Sequence, residues 1–140
     1  MTSFPKLILD TNALMDNDFV YWLAANYHGD KCAPAIVYME YKRQVLSNGL
    51  DPTKLDKLIS KAGLKIVPFT KNEADIAAEL MSERMEVCKT CNKIDWVDTM
   101  IYSFIGCAPT VLVTNNIVDF PESDRVHTPE FIMKTYSRAR

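Results

Sequence analysis

Short apolar runs that stop abruptly, alternating with stretches of helical period, limit the folds open to this chain. "KLILD" ends at Asp10, and "TVLVTNN" ends in Thr114, Asn115 and Asn116. Both are the continuous apolar runs expected of strands buried on two faces. A second strand is expected at 35–37, a third in "LKIVPFT" and a short fifth in "RVHTP". Between them, "DFVYWLAANY" places Val20, Leu23, Ala24 and Tyr27 at helical spacing, and Asp16 stands where it would cap that helix near Asn17. The 35–37 strand runs on into a helix that Asn48-Gly49 closes, and "DPTKLDKLISKAG" has an Asp-Pro start and a Gly stop. "NEADIAAELMSERMEVC" turns Ile76, Ala77, Leu80, Met81 and Met85 inward, "IDWVDTMIYSFIG" is an apolar helix, and "PEFIMKTYS" is the last helix.

Strands alternating with helices imply an α/β fold of three layers, α/β/α. Its centre is a parallel sheet of about four to five strands flanked by helices. The 140 residues suit a single domain spanning 1–140. With 48% apolar and 24% charged residues, the composition excludes a disordered chain, the last residues "SRAR" aside. No apolar run approaches the roughly 20 residues of a membrane span. The N-terminus lacks the features of a secretory signal, so a soluble, cytoplasmic protein is expected.

In parallel sheets, ligands bind beyond the carboxyl ends of the strands, where the strand order switches. Acids recur there. Asp10 follows the first strand. Glu40 follows the second, in "IVYMEYKR", on the first turn of a helix. Asp98 sits in the first turns of the helix before the fourth strand. Asp119 follows that strand in "VLVTNNIVDF". Each acid alone suits a cap or a turn. Gathered at one edge, they would repel and raise one another's pKa unless a cation neutralised them. An oxygen-only set selects a hard ion, Mg²⁺ or Mn²⁺, over zinc. The chemistry that follows is metal-assisted phosphodiester hydrolysis.

"LILDTNALMD", "IVYMEYKR", "WVDTMIYSFIG" and "VLVTNNIVDF" resemble, in order, the four signature blocks of the PIN domain, as in VapC-type toxins. Thr114, Asn116 and Asp119-Phe120 match the family's T-x-N-x-x-D-F pattern. The resemblance implies a PIN-like fold and a metal-dependent endoribonuclease that cuts single-stranded RNA. By the same resemblance Asp10, Glu40, Asp98 and Asp119 are the catalytic acids. Asp10 and Asp98 are then the principal Mg²⁺ or Mn²⁺ ligands, and Asp119 serves a second metal or acts through water. Glu40 holds or deprotonates water, and Asn12, Thr114 and Asn116 support the site. A toxin of this type has an antitoxin partner that enters the acidic groove, and is commonly a homodimer. Asp95 is open between an extra ligand and a helix cap. Within the same family, a nuclease of rRNA or tRNA processing and a non-catalytic RNA-binding scaffold are the alternatives. A phosphatase of the HAD type would need an acid two residues beyond Asp10, where the chain has Asn12.

The net charge of −2 gives no whole-molecule attraction to nucleic acid. Lys54, Lys57 and Lys61 share one helix face, which is either an RNA contact or a solvated surface. The four cysteines do not make a disulfide scaffold. Cys32 and Cys107 read as core residues. Cys88 and Cys91 would be half of a zinc site that His28 and His127 are not spaced to complete. Those histidines have no evident nucleophile partner, and Tyr21, Trp22, Tyr27 and Tyr38 are assigned to the core.

Overall fold

A computed structural model describes residues 4–87, 96–106, 109–120 and 123–137. β1 (Lys6–Leu9) is the central strand of a five-stranded, wholly parallel sheet. β2 (Lys31–Pro34) and β4 (Thr110–Val113) flank it, and β3 (Lys65–Val67) and β5 (Val126–His127) form the edges, in the order β3-β2-β1-β4-β5. Leu7, Ile8 and Leu9 are completely buried, as are Leu112 and Val113, which is what a strand covered on both faces requires. The chain moves outward from β1 to β2 and β3, then crosses back to β4. The strand order therefore switches between β1 and β4, whose ends are in register, Leu9 opposite Val113.

The helices are α1 (Thr11–Leu14), α2 (Asn17–Asn26), α3 (Ala35–Ser47), α4 (Pro52–Lys61), α5 (Lys71–Val87), α6 (Trp96–Tyr102) and α7 (Pro129–Tyr136). They lie on the sheet as the outer layers of an α/β/α fold. Short 3₁₀ turns occupy Ser103–Ile105 and Ile117–Asp119. Asp16 caps α2 by accepting from the Phe19 N–H at 3.1 Å. α3 and α4 both end in a Schellman motif. Gly49 and Gly63 take φ of 68° and 71°, and the next residue's N–H returns to the helix: Leu50 to Val45 O, Leu64 to Ile59 O. Gly63→Ala puts a Cβ into the left-handed region, and its expected cost is about 1 kcal/mol. A fall in melting temperature of about 3–5 °C would register it.

Two expectations need correction. The second strand is Lys31–Pro34, not 35–37. Residues 35–37 already belong to α3, because Pro34 takes the extended conformation of an N-cap (φ −58°, ψ 146°) and the helix starts immediately after it. Glu40 therefore lies in the second turn of α3, not the first. The four-residue α1 was not anticipated. Of the aromatic residues assigned to the core, Tyr27 is buried, with its hydroxyl donating to Pro5 O, while Trp22 and Tyr38 are half-buried. Tyr21 is exposed. Cys32 is buried on β2, whereas Cys88, Cys91, Cys107 and Asp95 lie outside the described residues. Among the described residues, no helix is long and apolar enough to cross a membrane.

Candidate functional site

At the switch between β1 and β4 the chain leaves both strands side by side, and the Asp10 N–H donates to Val113 O at 3.0 Å. This places Asp10 next to Thr114, although 104 residues separate them. Asp10 serves two purposes at once. Its Oδ1 accepts from the Thr11 N–H at 2.7 Å as the N-cap of α1. Its Oδ2 accepts from the Thr114 hydroxyl at 2.9 Å and from the Asn12 amide at 3.3 Å.

Thr114 is completely buried, and its hydroxyl is fully used. It donates to Asp10 while accepting from the Asn116 N–H at 3.0 Å and the Asn12 amide at 3.4 Å. Asn12 closes the network with Oδ1, which accepts from the Asn115 N–H at 2.8 Å. The two loops beyond the central strands are thus tied together through short polar side chains. Burial pushes the Asp10 carboxyl above its ordinary pKa, the neighbouring charge of Asp119 adds to this, and the hydrogen bonds from Thr11, Thr114 and Asn12 oppose it.

Asp10, Glu40 and Asp98 line one open pocket of about 270 Å³, with Thr11, Asn12, Gln44 and Asn116 among its polar walls. Glu40 reaches it from α3, where Oε2 accepts from the Thr11 hydroxyl at 3.0 Å. Asp98 reaches it from the first turn of α6. Asp119 stands apart: it is exposed in the 3₁₀ turn after β4 and does not line the pocket, though its charge reaches Asp10. Lys54, Lys57 and Lys61 are exposed on α4, and none of them borders the pocket.

The donor set fits a hard divalent cation. The facing groups are carboxylates, amide oxygens and a hydroxyl, and the raised pKa of Asp10 marks a carboxylate whose ionised form lacks a counter-charge. Among the described residues, no group of three His, Cys, Asp or Glu is gathered closely enough to hold an ion unaided. An ion of the Mg²⁺ kind does not need such a cage, because it keeps several waters and binds through one or two carboxylates.

Three features of the site were not read from the sequence: the Thr11–Glu40 bond, the double duty of Asp10, and Gln44. Gln44 had a signal, since it follows Glu40 by four residues and so shares its helix face.

A model of the PIN domain matches residues 7–126. A comparison with curated proteins gives no significant match. Among solved structures, the chain is similar to a toxin-antitoxin complex from Klebsiella pneumoniae, with TM-score 0.67 and 19% identity, covering 89% of this chain and 98% of that one. It is similar to a DNA-bound VapBC from Salmonella typhimurium, with TM-score 0.61 and 19% identity over 89% and 96% of the two chains. It is also similar to VapBC2 from Rickettsia felis bound to a promoter DNA fragment, with TM-score 0.64 and 22% identity over 87% and 96%.

Proposed function

The chain belongs to the PIN domain family, and from that premise we propose that it is a metal-dependent endoribonuclease of single-stranded RNA, the toxin of a VapBC-type toxin-antitoxin pair. The observation that carries this reading is the meeting of Asp10, Glu40 and Asp98 in one pocket at the point where the strand order switches. The solved structures of similar fold include toxin-antitoxin complexes, which supports an antitoxin as partner. The reading includes a homodimer working in the cytoplasm.

In this reading Asp10 and Asp98 hold Mg²⁺ or Mn²⁺, with Asp119 at a second ion or acting through water. The bound ion supplies Lewis-acid stabilisation of phosphoryl charge and a lowered pKa for water. The side chains do the rest. Thr114 and Asn12 fix the Oδ2 edge of Asp10, and the Thr11 N–H fixes Oδ1, so the carboxylate is oriented before substrate arrives. Thr11 holds one oxygen of Glu40, which leaves the other to take a proton from the attacking water. Attack at phosphorus then breaks the bond to O3′ and leaves a 5′-phosphate and a 3′-hydroxyl. Asn116 lines the pocket as a neutral hydrogen-bonding group.

The direct test is incubation of the purified protein with an RNA pool, with and without Mg²⁺ or Mn²⁺. Cleavage is expected only with metal, and equal cleavage in a chelator would overturn the mechanism. The exposed stripe of Lys54, Lys57 and Lys61 is a second surface open to a longer RNA. Reversing all three charges is expected to make the salt dependence of RNA binding shallower by up to about two units of log–log slope. An unchanged slope would assign that face to solvent.

A further inference from the structure

The pocket that gathers three carboxylates has no cation in its lining. Its walls come from α1, α3, α6 and the residues that follow β4. The α1 segment TNAL, the α6 segment WVDTMIY and residues 114–119 contain no lysine or arginine. Only α3 carries any, Lys42 and Arg43.

The two are not equivalent. Lys42 Nζ lies 5.6 Å from the centroid of the Tyr38 ring, and the Tyr38 hydroxyl donates to Asp56 of α4 at 2.6 Å. Lys42 is therefore engaged on the side of α3 that meets α4. Arg43 is exposed and makes no ion pair among the described residues. It follows Glu40 by three positions and directly precedes Gln44, and both of those line the pocket. Residues at i, i+3 and i+4 share a helix face, so Arg43 stands at the rim beside the Glu40 carboxylate.

We infer that Arg43 binds a backbone phosphate of the RNA next to the one being cut. The inference rests on the proposed reading of the pocket as a ribonuclease site. A single-stranded RNA brings a negative charge with every nucleotide to a site already lined by three acids. A divalent ion compensates at the scissile phosphate, but a flanking phosphate still faces carboxylates. A guanidinium at the rim answers that charge, and its planar fork pairs two N–H groups with two phosphate oxygens. It also fixes the register of the strand across the acids without reading its sequence.

The test is steady-state cleavage of a fluorescent mixed-sequence single-stranded RNA in Mn²⁺, across a salt series, for the unaltered protein and for Arg43→Ala, Arg43→Lys and Lys42→Ala. Arg43→Ala is expected to raise KM about fivefold to tenfold. Its effect on kcat is smaller, and its salt dependence is shallower by about 0.7 in log–log slope, the value for one phosphate contact on a single strand. Arg43→Lys keeps the slope and part of the affinity, and Lys42→Ala keeps the slope. If the unaltered protein cuts RNA and Arg43→Ala shows the same KM and slope, the assignment of Arg43 falls alone. It also falls if Arg43→Ala cleaves RNA normally but resists inhibition by an antitoxin, which would place the guanidinium against a protein partner. If the unaltered protein does not cut RNA at all, the reading of the pocket falls and takes this inference with it.

Discussion

Asp10→Asn is expected to reduce metal-dependent RNA cleavage by at least about a hundredfold, since even changes to groups that only orient a ligand cost 10- to 100-fold. Asp98→Asn should lose as much, because the two carboxylates face one pocket from β1 and α6. Asparagine keeps the size of the side chain and can still accept from the Thr11 N–H, so the cap of α1 survives. The stability of Asp10→Asn should not fall. A buried carboxyl whose folded pKa lies above its unfolded value is destabilising wherever it is ionised. That penalty is present above both pKa values and is relieved as the pH drops through the folded one. The amide removes it at every pH. Without metal the variant should therefore melt at or above the temperature of the unaltered protein, by circular dichroism. Added Mn²⁺ should stabilise the unaltered protein more than the variant. Full activity in both variants would sink the proposed mechanism, and a collapse of the fold in Asp10→Asn would show that its charge is structural.

The architecture was legible because its signals are local. Apolar runs with abrupt polar stops mark β1 and β4, and Asp16, Asn48-Gly49 and the Asp51-Pro52 start mark helix ends with side chains whose hydrogen bonding or backbone angles are distinctive. The acids were legible for a topological reason: whatever follows a strand in a parallel sheet arrives at the same edge. The misplaced second strand shows where locality fails. Ile36 and Val37 look like strand residues by type. Yet Val37, Tyr41 and Val45 repeat at four-residue spacing and face inward as a helix, with Pro34 fixing its start. α1 is one turn long and leaves no period to detect. Nor could the sequence say which carboxylate oxygen meets which donor, because that depends on rotamers brought together across 104 residues. For the same reason, grouping Asp119 with the other acids did not foresee that it would be exposed and outside the pocket lining.

Thr114→Val should lower cleavage about 10- to 100-fold although residue 114 touches neither metal nor RNA, the range seen when a group orienting a metal ligand is removed. Valine matches threonine in shape, so the completely buried position stays filled and no cavity opens. What is lost is one hydroxyl making three hydrogen bonds: to Asp10 Oδ2, from the Asn116 N–H and from the Asn12 amide. A buried polar group left without its partner costs about 1–3 kcal/mol, and that much stability should go. The activity loss has a separate origin. Oδ2 of Asp10 keeps only the longer bond from Asn12, at 3.3 Å, and its carboxylate is no longer fixed across the β1–β4 switch. Thr114→Ser separates the two effects. Serine restores the hydroxyl and removes one buried methyl, which by itself costs roughly 1 kcal/mol. Thr114→Ser should therefore be destabilised yet keep most of its activity, whereas Thr114→Val should lose both. Chemical denaturation of each variant, beside cleavage measured well below its melting temperature, makes the comparison. Equal activity in the serine and valine forms would show that Asp10 is held without Thr114, and that this buried hydroxyl serves only the turn after β4.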